Sequence, residues 1–173
     1  MDRGGIVAQR PSVYRGQGFS LRGEKNRFVL PPSFRKVFAE NDDERVLCLI
    51  QHDRFPCLSA FGLSRSTSFE DVLDKEEENA VRRGEDFDRD LRAMQLYGFV
   101  EVPFDASGRF ILPDHLAGLA GIDDNICFLG GGQFITLWDL DRLQAMGSAF
   151  AAPHAACAAL AKDARAKAEG KKR

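Results

Sequence analysis

One phrase occurs twice in this chain, GEKNRFVLPPSF at 23–34 and DASGRFILPDHL at 105–116. Arg27, Phe28, Leu30 and Pro31 recur as Arg109, Phe110, Leu112 and Pro113, a constant offset of 82 residues. A half of that length cannot bury its strands alone. Two copies interleaved about a pseudo-twofold axis, sharing one core, are the natural solution.

The hydrophobic pattern supports a repeated unit of strand, turn, strand, helix and hairpin. VYRGQGFSL and RFVLP alternate around the charged turn at 22–26, and Pro31 and Pro32 stop the strand and suit the first turn of a helix. Phe34, Val37 and Phe38 share a helical face, and RVLCLI and CLSAF read as a hairpin. In the second half the same order runs through YGFVEVPF, DASGRFILP, PDHLAGLAG and the hairpin NICFL and QFITLW, with Asp139 or Asp141 as the N-cap of a last short helix. The expected organisation is a leader at 1–12 without fixed structure, a first repeat at 13–63, a helical connector at 64–97 broken near Gly84, a second repeat at 98–150, and an alanine-rich tail at 151–173, helical or disordered. The fold class is mainly β with short helices, α+β.

Of the 173 residues 44% are hydrophobic, enough for one core. The longest apolar runs fall far short of the ~18–20 residues that span a bilayer, and the N-terminus lacks the apolar stretch of a signal peptide. A cytoplasmic protein with reduced cysteines is expected, with Cys48, Cys57 and Cys127 as small buried hydrophobes. The net charge of −2 conceals an asymmetry. Residues 1–40 carry Arg3, Arg10, Arg15, Arg22, Lys25, Arg27, Arg35 and Lys36 against Asp2, Glu24 and Glu40, leaving an acidic remainder. A basic end on an acidic body focuses an anionic ligand onto one face.

RGEKNR places Arg22, Lys25 and Arg27 on one tight turn, next to Arg15 on the preceding strand. Two readings stay open, a solvated surface turn or a loop that meets DNA phosphates. In DASGR, Asp105 can accept from backbone N–H groups just after it, Gly108 can supply a positive φ, and Arg109 can pair with Asp105, which points to a structural turn. Arg27 lacks the counterpart of Asp105, because Gly23 stands there; Glu24 is the nearest alternative carboxylate. Cys48, His52 and Cys57 lack the close pairs and fourth ligand of structural zinc, and their apolar surroundings disfavour a nucleophilic thiolate. GGGQF lacks the lysine and helix of a P-loop, DKEEEN reads as a solvated helix face, and Trp138 reads as a core anchor. No metal, cofactor, small-molecule substrate or catalytic residue is implied.

YRGQGFSLRGEKNRFVLPPSFR, DASGRFILPDHLAGLAGI and FITLWD together resemble the MraZ family of bacterial transcriptional regulators over about residues 13–145. The resemblance implies a swapped-hairpin, double-split β-barrel like that of the AbrB and MazE regulators, with both copies in one chain. It further implies a homo-oligomeric ring that binds repeats of double-stranded DNA upstream of its own gene, at the head of the division and cell-wall cluster, usually as a repressor. The family motif is an aspartate, three residues and an arginine, complete here as Asp105 to Arg109. In the first half Lys25 and Arg27 match DNA-contacting positions, with Arg15 and Arg22 beside them, while Gly23 replaces the aspartate and Asn26 the glycine. The rival reading is an antitoxin-like or scaffold module of the same fold that wraps a protein partner.

Overall fold

Phe28 and Phe110 define the centre of the structure. The computed structural model describes residues 12–172, so the leader expected at 1–12 lies outside the described residues except for Ser12, whose backbone exchanges two hydrogen bonds with the Asn41 side chain. Strands β1 (Gln17–Leu21) and β2 (Arg27–Val29) precede helix α1 (Pro32–Glu40), and β3 (Val46–Gln51) and β4 (Leu58–Phe61) form the first hairpin. A 3-10 turn at Leu63–Ser68 leads to α2 (Phe69–Arg83) and α3 (Arg89–Tyr97), which are separated at Gly84. The second half repeats the order as β5 (Val100–Pro103), β6 (Arg109–Ile111), α4 (Asp114–Ala120), β7 (Asn125–Gly130) and β8 (Ile135–Trp138). Helices α5 (Leu140–Ala145) and α6 (Ala151–Gly170) close the chain.

All strand pairs are antiparallel, and their order is β1-β7-β8-β4-β3-β5. Exchanging the halves turns β1 into β5, β3 into β7 and β4 into β8, which reproduces the same order reversed. Each half therefore gives its first strand to the other half's hairpin. The second strands meet each other in a separate ribbon, with Arg27 opposite Ile111, Phe28 opposite Phe110 and Val29 opposite Arg109. The pseudo-twofold axis passes between the two phenylalanines. Neither half could fold this way alone, since its own strands do not complete a sheet. The six-stranded sheet is open at β1 and β5, and no closed barrel is formed among the described residues.

Both faces of the sheet are covered, which explains the near-continuous apolar runs of β3 and β7. Leu47, Leu49, Ile126 and Phe128 point to the central cluster with Phe28, Phe110, Phe34 and Leu116. Their alternate neighbours face the other way. Cys48 packs with Phe61 and Phe69 beneath α2 and α3, and Cys127 packs with Trp138, Leu143 and Cys157 beneath α5 and α6. The tail forms α6, docked against β1 and α5. Cys157 and Ala161 are buried, with the Cys157 thiol near the Gly18 carbonyl at 3.9 Å.

Candidate nucleic-acid interface

The turn between β5 and β6 is tightly specified. One oxygen of Asp105 accepts from the backbone N–H groups of Ser107 and Arg109, both at 2.9 Å, and the other accepts from Arg109 Nε at 2.7 Å. These bonds, led by the Arg109 N–H, hold the Asp105 carboxyl below the usual carboxylate range. Gly108 adopts φ +85°, and its N–H donates to the Asp105 carbonyl at 2.9 Å. Arg35 of α1 reaches beneath this turn and donates to the carbonyls of Leu30 and Ser107. A Cβ on Gly108 would lie 2.3 Å from Arg35 Nη1 and 2.6 Å from the Leu30 carbonyl oxygen. Glycine is therefore required there by space as well as by φ.

The equivalent turn between β1 and β2 is built differently. With Gly23 in the aspartate's place, no carboxylate at that position accepts from the turn's backbone, and Glu24–Asn26 form a 3-10 turn whose Glu24 carbonyl accepts from the Arg27 N–H. Lys25 and Asn26 both take φ of 58°, an uncommon state for residues with side chains. The Asn26 side chain helps to hold this geometry by donating to Asp114 at 2.8 Å. Glu24 does not take over the role of Asp105, because it makes no ion pair with Arg27. Among the described residues, the exposed side chains of Lys25 and Arg27 have no carboxylate partner.

Arg22 is close by but committed, bonding Asp123 at 3.1 Å across to the α4–β7 loop. Arg15 is not brought to this turn. It precedes β1, beside Gly130 at the β7–β8 hairpin end, while Arg22, Lys25 and Arg27 follow β1. The five residues of β1, Gln17–Leu21, lie between Arg15 and Arg22, roughly 17 Å at the usual strand rise.

The ribbon register instead unites Arg27 with Arg109. Phe28 and Phe110 point inward, so Arg27, Val29, Arg109 and Ile111 share the outer face. The two arginines lie diagonally across it, roughly 7–8 Å apart between Cα atoms for such a pair. A hydrogen bond from the Val29 N–H to Ser20 Oγ at 2.9 Å fixes this ribbon to the sheet. In the connector, by contrast, two arginines are ion-paired: Arg89 contacts Glu70, Asp74 and Glu77, and Arg92 contacts Asp53 and Glu76.

Sequence reasoning does not single out Arg35 as a site residue. The available signal is the broken repeat, since its counterpart 82 residues on is Ala117. The second turn thus has both an aspartate and a supporting arginine, and the first has neither. Among the described residues no group of three or more His, Cys, Asp or Glu is placed to hold a metal. Cys48 and Cys57 are buried, and burial pushes the Cys57 thiol up to about 12. His52 Nδ1 accepts from the N–H groups of Arg54 and Phe55, which gives that histidine a turn-forming role.

The chain is 28% identical over 127 residues to the transcriptional regulator MraZ of Parvibaculum lavamentivorans, covering 73% of this chain and 75% of that one. It is 30% identical over 125 residues to the MraZ of Rhizobium rhizogenes, covering 70% of this chain and 80% of the relative. The chain belongs to the MraZ family. The MraZ of Caulobacter vibrioides is similar at 28% identity over 123 residues. No family model matches the chain. These MraZ relatives are named transcriptional regulators, and among the described residues no helix of this MraZ chain is long and apolar enough to cross a membrane.

Proposed function

We propose that this MraZ protein binds double-stranded promoter DNA through the β1–β2 turn and the outer face of the β2–β6 ribbon, and represses its own division and cell-wall gene cluster. The observation that carries this reading is the pair Lys25 and Arg27, exposed on one tight turn without carboxylate partners among the described residues, with Arg109 beside Arg27 across the ribbon. Like charges on one turn repel each other unless an anion sits opposite, and a run of phosphates supplies that anion. Arg22 joins them once its exposed pair with Asp123 opens, a pair of the kind worth ~0–1 kcal/mol. Arg15, at the other end of β1, meets a separate stretch of backbone.

One turn neutralising a few phosphates binds weakly. A homo-oligomeric ring presents several such turns to successive repeats, and effective concentration then raises affinity by ~10²–10⁴. The exchange of β1 and β5 between halves supports the finer assignment to the swapped-hairpin, double-split barrel class, and promoter binding places the protein on the nucleoid. The organisation into a leader, two repeats, a connector and a tail follows the same duplication.

Fluorescence anisotropy with duplex from upstream of the gene, a scrambled duplex and a salt series tests this. Arg27→Ala should lose specific binding and reduce the slope of log K against log salt by ~1. A folded, oligomeric protein that binds neither duplex would refute the reading and favour a protein partner.

A further inference from the structure

The outer face of the ribbon is not purely basic. Between the arginines stand Val29 and Ile111, 41% and 53% exposed. They occupy equivalent positions of the two repeats, Val29 opposite Arg109 and Ile111 opposite Arg27. The inward residues at the centre of the same strands are Phe28 and Phe110, both almost fully buried, so the core is complete without the outer pair. No described residue covers either side chain's outer face enough to bury it. The result is a two-fold patch with one cation and one β-branched apolar group from each half.

A second copy of this chain is a poor occupant. A two-fold face pairing with itself would set Arg27 and Arg109 against the same cations of the partner, with Lys25 adding a further charge beside them. The major groove of DNA is complementary on both counts. It is ~12 Å wide and accepts a two-stranded ribbon; its walls are phosphates, and its only apolar base group is the thymine C5-methyl.

Resting on the DNA-binding reading above, we infer that Val29 and Ile111 are specificity-determining residues that contact thymine methyls in the major groove while Arg27 and Arg109 take guanine edges or phosphates. The two apolar side chains lie on a diagonal of roughly 7–8 Å between Cα atoms, about two base-pair steps. The ribbon axis relates them, so the two thymines lie on opposite strands. Specificity is then divided between the halves, although only the first turn carries unpaired cations.

The test uses the full chain and duplexes in which single thymines are replaced by deoxyuridine, which removes only the methyl. Anisotropy titrations compare the natural protein, Val29→Ala/Ile111→Ala and Val29→Thr/Ile111→Thr, with circular dichroism establishing that each is folded. For the natural protein, deoxyuridine at a contacted position should weaken binding about fourfold, the equivalent of one buried methyl. The alanine variant, which removes both contacts, should lose on thymine DNA what two deoxyuridine substitutions cost together, about sixteenfold, and show no further loss on deoxyuridine DNA. The threonine variant, which retains one methyl and strand preference, should fall between.

Specific binding that no deoxyuridine substitution weakens would overturn the methyl contact while leaving the DNA-binding reading intact. The methyl contact is equally refuted if deoxyuridine weakens the alanine variant as much as the natural protein. Absence of specific binding by the natural protein would overturn both.

Discussion

Gly108→Ala isolates what the second turn contributes, and its cost can be worked from two observed terms. The first is conformational, because an alanine at φ +85° incurs ~1–2 kcal/mol. The second is steric, since the new Cβ would displace Arg35 from the carbonyls of Leu30 and Ser107. Losing two charge-assisted bonds near the surface adds ~3 kcal/mol at the low end of their range. The total is ~4–5 kcal/mol. Gly84 is the internal control, with φ +66° at the end of α2 and nothing within 4 Å of the point where a Cβ would stand. Its alanine variant should cost only the conformational ~1–2 kcal/mol. Thermal unfolding at one fixed protein concentration then separates them, at ~2–4 °C per kcal/mol for a chain of this size. Adding Arg35→Ala to Gly108→Ala should not restore the lost stability, because the Leu30 oxygen still stands 2.6 Å from the new Cβ. If Gly108→Ala costs no more than Gly84→Ala, the interlock of Arg35 with this turn is wrong.

Two further outcomes follow from the asymmetric turns and the buried thiols. Gly23→Asp should give Arg27 the partner that Arg109 has in Asp105, and place a negative charge beside Lys25 and Arg27; on the proposed DNA-binding reading, anisotropy should show weaker binding, and unchanged affinity would count against the repulsion. Burial pushes the thiols of Cys48 and Cys57 from 9.0 up to about 12, with the carboxylates of Glu101 and Asp43 adding to the effect at Cys48. Both stay protonated in the native protein while an unfolded thiol ionises from about pH 9, so the stabilisation is complete below 9 and is lost as pH rises towards 12. Urea titrations between pH 8 and 11 should show that decline, flattened in Cys48→Ala/Cys57→Ala.

The duplication is legible in the sequence because strand formation here is local. Residues RFVLP and RFILP carry alternation, an inward phenylalanine and a helix-starting proline, and all of these act within a few residues. Gly84 likewise announces a helix end through its tolerance of a left-handed backbone. The pairing of β1 with β7 and of β5 with β3 is a choice between near-identical partners, and only the closed geometry of both halves decides it. The docking of α6 is hidden for a related reason. Its alanines give a weak apolar stripe, and the decisive contacts are small residues such as Ala161 and Cys157 fitting against β1.

The site shows the same division between local and distant causes. Asp105, Gly108 and Arg109 can be read as one turn because every partner lies within four residues. Sequence proximity groups Arg15 with Lys25 and Arg27, yet the five extended residues of β1 run between them, and the cations part to its two ends. Conversely Arg27 and Arg109 are distant in sequence and diagonal neighbours on the ribbon. Duplication makes that neighbourhood inevitable: whatever residue the first repeat places at a ribbon end, the second places beside it across the axis. Once both copies sit on one face, they need not be maintained alike. The Asp105 and Arg35 contacts keep one turn fixed, and this leaves the other free to lose its aspartate and expose its arginine without loss of the shared fold.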